Sequence, residues 1–133
     1  MENINTDDII LPDIVSFETA ELLKEKGFNI TCTRYYTPEG VMMDHSPLIA
    51  RNSDYKHEEI SAPELWLAQR WLIKKHNYFV TATQDGGFWF YRIEDYNNRS
   101  SDGTIHLRVK NTYSKTIEEA IDSGIYFVLE TLI

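Results

Sequence analysis

The stretch Ile60 to Ile93, ISAPELWLAQRWLIKKHNYFVTATQDGGFWFYRI, constrains the fold more than any other part of this chain. It holds all three tryptophans, Trp66, Trp71 and Trp89, beside Tyr78, Phe79, Phe88, Phe90 and Tyr91. Aromatic side chains at that density carry enough apolar area to build a core, so the remaining segments are expected to pack around them. Ser61 and Glu64 have the spacing of a capping box, and Ile60 can staple onto Leu65, which predicts a helix from Ser61 to about His76. On that helix Leu65, Ala68 and Leu72 form the centre of the apolar face, with Ala62, Trp66 and Ile73 as its flanks. Leu67 and Trp71 are left on the far side, one turn apart, beside Arg70 and Lys74. Either other parts of the chain cover this second stripe, or Leu67, Arg70, Trp71 and Lys74 form a partner-binding surface, for which Trp is a favoured anchor.

After Asn77 the period changes. Gln84-Asp85-Gly86-Gly87 reads as a hairpin tip, because two-residue loops with Asp-Gly satisfy the positive φ that such turns require. With Asp85-Gly86 as the loop, Tyr78, Val80, Ala82, Trp89, Tyr91 and Ile93 share one face, and that face is expected to meet the helices. A three-residue loop collects a less apolar set, so the shorter loop is preferred.

The first helix has local punctuation at both ends: Ser16 as N-cap, Val15 able to staple onto Ala20, and Gly27 placed to end it after Lys26 with Phe28 reaching back to Leu23. A strand over Asn29 to Tyr36, a turn at Thr37-Pro38-Glu39-Gly40 and a short return over Val41 to Met43 follow. Residues 44–59 lack either period and read as a long loop, either functional or mobile. The polar run Glu94 to Gly103 reads as a surface connection, and Ile105, Leu107 and Val109 alternating with His106, Arg108 and Lys110 read as a half-exposed strand. A capping box at Thr116 and Glu119 opens the last helix, whose stripe includes Ala120, Gly124, Ile125 and Val128. Gly124 in the middle of that stripe predicts close approach to the sheet. The expected architecture is one α+β domain over residues 1–133, in the order α-β-β-α-β-β-β-α, with three helices and one antiparallel sheet of four to five strands. Residues 1–15 are expected as an extended N-terminal segment.

With 21 acidic and 13 basic residues the net charge is −8. Such a chain repels phosphates on average, which disfavours nucleic acid as a partner despite the cluster Arg70, Lys74 and Lys75. One cysteine, Cys32, excludes an intramolecular disulfide and suits a reducing compartment, so a cytoplasmic location is expected. Asp7 and Asp8 before the short Ile9-Ile10-Leu11 run do not suit a secretory leader, and no run approaches a membrane span.

No catalytic or cofactor motif stands out. The four histidines, His45, His57, His76 and His106, lack metal-ligand spacing, and in His57-Glu58-Glu59 the position of a second zinc-ligating histidine is held by Ser61. Cys32 between Thr31 and Thr33 reads as a small core side chain. Gly86-Gly87 lacks the Lys and helix of a phosphate-binding loop. No catalytic, cofactor or metal-binding residue is therefore assigned.

Several of these residues also carry a likeness. Ile60-Ser61-Ala62-Pro63, Ala68, Trp71-Leu72, Val80, Trp89, Ile93, Tyr113, Thr116 to Ala120 and Gly124-Ile125 resemble small proteins of unknown function from phages and prophages of gut anaerobic bacteria. The resemblance implies a mobile-element origin and a setting in the cytoplasm of an infected cell. The expected function is a non-enzymatic accessory protein that binds a host or phage protein, or itself. Two alternatives remain open: an acidic nucleic-acid mimic directed at a DNA-binding protein, and a ligand-binding or enzymatic domain with a pocket between sheet and helices.

Overall fold

The computed structural model describes residues 13–99, 105–109 and 113–133, of which 99 and 105–109 by their backbone alone. The chain runs α1 (Phe17–Glu25), β1 (Arg34–Tyr36), β2 (Met42–Asp44), a 3-10 turn (Asn52–Asp54), β3 (Ile60–Ser61), α2 (Leu65–His76), β4 (Tyr78–Asp85), β5 (Phe88–Arg99), β6 (Ile105–Val109) and α3 (Ile117–Phe127), closed by a π-helical turn over Val128–Leu132. The class is α+β with three α-helices among the described residues. The single sheet of four to five strands is corrected to two antiparallel three-stranded sheets, in the orders β2-β1-β3 and β4-β5-β6. The reason is β3, an element absent from the expected order. Ile60 and Ser61 pair with Tyr36 and Tyr35 and occupy the edge of β1 that a single sheet would need.

The same pairing moves the start of α2. Ser61 is a strand residue, and its N–H, which a capping box would give to the Glu64 carboxylate, donates to Asn52 Oδ1 at 2.8 Å. The helix begins at Leu65 with Glu64 as its N-cap residue, and Leu65 N–H donates to the carbonyl of Asp13 at 2.9 Å. Backbone from residues 13–15 thus replaces the expected side-chain cap, while Val15 N–H donates to Pro63 O at 3.0 Å. The remainder of the expected N-terminal segment lies outside the described residues.

Helix α1 follows its local signals. Ser16 Oγ accepts from Thr19 N–H, Gly27 takes φ +95°, and Phe28 N–H donates to Leu23 O at 2.8 Å while Gly27 N–H donates to Lys24 O at 3.1 Å. That pair of bonds is a Schellman ending, and it turns Phe28 into the core, 1 % exposed. The strand after it is shorter than Asn29 to Tyr36, with Cys32 held outside β1 by an isolated bridge to Ala50. Residues 44–59 are not a featureless loop. Asn52 is buried and its amide joins two distant backbones, donating to Phe28 O at 2.8 Å and accepting from Ser61 N–H.

The β4–β5 hairpin turns at Gly86-Gly87, φ +58° and +85°, not at Asp85-Gly86. Ala82 therefore faces Tyr91 and Val80 faces Ile93. The loop moves by one residue at constant length, so the expected face is preserved although every cross-strand partner changes. Val80, Tyr91 and Ile93 are buried on that face, and α3 packs on β4 and β5. Strand β5 continues through Glu94 to Arg99, which corrects the surface connection expected there. Asp95, 1 % exposed, sustains the extension by accepting from Asn97 N–H at 2.9 Å and Asn98 Nδ2 at 2.8 Å. The alternation expected over 105–110 falls on side chains outside the described residues. A single buried cluster runs from Val15 through Phe28, Trp71, Val80 and Ile93 to Leu129.

Candidate functional site: a trench beside helix α2

The predicted second stripe of α2 divides into parts with different fates. Trp71 is 7 % exposed, and Trp66, expected on the flank of the buried face, is 52 % exposed. Helix geometry accounts for the exchange: at about 100° per residue Trp71 lies roughly 60° from Ala68 around the axis, and Trp66 roughly 160°. The core sector therefore opens toward Trp71. Phe28 meets its indole edge-on, with ring centroids 5.5 Å apart and planes at 70°. His76 packs on Trp71 at 5.1 Å. Burial, and then the charge of Lys26, hold the His76 imidazole below its ordinary pKa.

Trp71 is consequently a floor for this surface and not a protruding anchor. Leu67 is half-buried against the core, whereas Arg70 and Lys74 are exposed. With Ile30, Ile73 and Lys75 these residues line a groove of about 530 Å³. A second cavity of about 350 Å³ continues it past Cys32, Ala62, Pro63 and Trp66, and the two share Ile30 and Leu67. The result is an apolar trench along α2. At one end stands Trp66, its indole N–H donating to the Glu64 carboxylate; the other end is rimmed by Arg70, Lys74 and Lys75. Lys74 and Lys75 belong to the last turn of α2, where positive charge is favoured by the helix dipole. Ile30, the other wall, was missed in the sequence because its strand-like surroundings gave no sign that α1 would deliver it beside α2.

The remaining candidates are dispersed. Burial first, and then the charge of Glu64, push the Cys32 thiol up to about 11 against a smaller opposing effect of the Ser61 hydroxyl. A thiol so protonated is a core side chain, not a nucleophile. His45 meets Tyr35 edge-on with ring centroids 5.1 Å apart, whereas His76 packs on Trp71, and the side chain of His106 lies outside the described residues. Among the described residues no group of three or more His, Cys, Asp or Glu could hold a metal ion, and no helix is long and apolar enough to cross a membrane. No protein-family model matches the chain, and neither does any curated protein or solved structure.

Proposed function

We propose that this chain is a non-enzymatic accessory protein of a phage or prophage that captures another protein along the α2 trench. The observation that carries the reading is the pairing of an apolar lining, Leu67 and Trp71 as floor and Ile30 as wall, with three cations, Arg70, Lys74 and Lys75, on a chain of net charge −8. Concentrated positive charge on an acidic protein selects a partner segment that carries carboxylates beside apolar side chains. Phosphate polymers bind less well, because the acidic remainder of the surface opposes them over a Debye length of roughly 10 Å. A trench floored by side chains already packed in the core needs little reordering on binding, which limits the entropic cost.

The test is affinity capture from host cells with wild type, the double variant Arg70→Glu/Lys74→Glu and Trp66→Ser side by side. All three positions are exposed, so melting temperatures should match. A protein retained by wild type, released as salt rises and absent from both variants supports the reading. Recovery of the same proteins by all three forms, or of none by wild type, overturns it.

A further inference from the structure

Another cavity, which shares no lining residue with the trench, has a different chemistry. It measures about 330 Å³ and lies between α3 and β5, where Ser16, Tyr91, Asp122, Tyr126, Phe127 and Glu130 line it. No lysine or arginine contributes to its wall. We infer that this cavity binds a small organic ammonium ion, through the Asp122 carboxylate and the Tyr91 phenol. The inference rests on three independent features of the lining.

The first is Tyr91. The residue is 4 % exposed, its ring stacks on Phe127 with centroids 5.8 Å apart, and its buried hydroxyl has no hydrogen-bond partner among the described residues. A buried phenol without a partner is costly and uncommon, and a ligand N–H donating to its oxygen removes the cost. The second is Asp122. Its Oδ1 accepts from Ser16 N–H at 2.8 Å, and no cation accompanies it among the described residues. Burial, the largest influence, holds this carboxyl above the ordinary aspartate range, against hydrogen bonds from Ser16 and Thr19. A carboxylate in that condition gains from a cationic ligand. The third is the wall. Phe127 and Tyr126 offer aromatic rings to an alkyl or aryl body and to the ammonium charge itself, and Glu130 on the exposed side adds a second negative charge.

The same lining excludes other classes. Two carboxylates repel anions. A hard divalent cation needs six or so oxygen ligands, whereas aromatic rings occupy much of this wall. A neutral molecule leaves Asp122 without a counter-charge. The ammonium group can belong to a free amine or to the lysine side chain of a protein, and the chemistry at Asp122 and Tyr91 is the same for both.

The test titrates the 133-residue chain, followed by amide NMR signals of Ser123, Phe127, Glu130 and Thr131, with four organic probes and magnesium chloride as a control for charge alone. Putrescine represents a free amine and Nα-acetyl-lysine amide a lysine side chain; 1,4-butanediol and Nα,Nε-diacetyl-lysine amide are their uncharged counterparts. Expected is saturable binding of one or both ammonium probes, with Kd of about 1 mM for ligands of this size, and none for the uncharged pair. The tighter ammonium probe names the source. Asp122→Asn should weaken binding by about tenfold or more and Tyr91→Phe by about fivefold, the loss of a charged and of a neutral hydrogen bond. If Asp122→Asn does not fold, Glu130→Gln replaces it, with an expected loss of about threefold for a rim charge. Absence of saturable shifts with both ammonium probes, equal shifts with the uncharged pair or with magnesium chloride, or unchanged affinity in folded variants overturns the inference.

Discussion

A Cβ added to Gly124 would stand 2.6 Å from Cγ1 of Val80 and 2.8 Å from Cβ of Tyr91, so the backbone of α3 rides directly on the β4–β5 hairpin. On an exposed helix Gly→Ala stabilises by roughly 0.5–1 kcal/mol. Here the sign reverses: Gly124→Ala should cost about 2 kcal/mol through overpacking, and Gly124→Leu more. Urea unfolding measures both. A Gly124→Ala protein as stable as wild type would show that α3 sits farther from the sheet.

Phe28 and Trp71 meet edge to face inside the core, while Trp66 stands outside it. Trp71→Ala should therefore cost about 3–5 kcal/mol and Trp66→Ala less than about 1 kcal/mol. Equal losses for the two tryptophans would contradict the rotation of α2 described above. Fluorescence-detected denaturation of the single variants decides it.

Asn52 joins the end of α1 to β3 with two hydrogen bonds of 2.8 Å from one buried amide. Asn52→Ala leaves Phe28 O and Ser61 N–H without their partner and should cost about 2–3 kcal/mol. Hydrogen exchange should also accelerate at Ser61, whose N–H loses its acceptor. Unchanged exchange there would remove Asn52 as the tie of residues 44–59.

Cys32, with its pKa raised to about 11, should react with a thiol reagent at pH 8 roughly a hundredfold more slowly than a free cysteine, before counting burial. In denaturant the ordinary rate should return. Rapid modification of the folded chain would place the thiol at the surface.

Asp122 predicts a pH dependence of defined sign. Its folded pKa is raised above the ordinary value of 3.8, by burial foremost, with Glu18 of α1 adding repulsion. On β1, burial raises the pKa of Tyr36, and the charge of Asp122 adds to that effect. In the window above 3.8 the folded state binds more protons at this site than the unfolded state, so its contribution to stability falls as pH rises through the folded pKa. Asp95 acts oppositely. Burial pushes it upward, but hydrogen bonds from Asn98 and Asn97 outweigh that and hold it low, so its stabilisation is lost as pH falls through the folded value. Urea unfolding of wild type and Asp122→Asn from about pH 4 to about pH 7 separates the two, because only their difference carries the Asp122 effect. The asparagine variant should gain on wild type as pH rises. A difference independent of pH would refute a raised Asp122.

Legibility in the sequence followed the distance over which each feature is decided. The Schellman ending at Gly27 and Phe28, the Ser16 and Thr116 caps and the glycine contact at Gly124 were all readable, because the groups concerned are near in sequence or leave a conspicuous residue type. The start of α2 was misread at Ser61. A Ser-x-x-Glu pattern is a sound local signal, but Tyr35 and Asn52 claim that residue from far along the chain and Asp13 O supplies the missing acceptor. The hairpin face was right and its pairing wrong, since a face depends on parity alone and partners depend on which two residues turn.

Within the candidate site, Leu67, Arg70, Trp71 and Lys74 do come together along the α2 groove, yet in different roles from those a helical projection suggested. Trp71 became floor because the turn after α1 lays Phe28 against it, and Ile30 became wall by the same delivery. By itself the sequence determined where chain segments begin, end and expose an apolar face, because caps, turns and periodicity act over a few residues. Only the tertiary structure decided that β3 would divide the strands into two sheets, that Trp71 and not Trp66 would be covered, and that Asp122 and Tyr91 would line one cavity with no lysine or arginine among the described residues of its wall. Those outcomes turn on contacts between segments distant in sequence, whose competition no local pattern records.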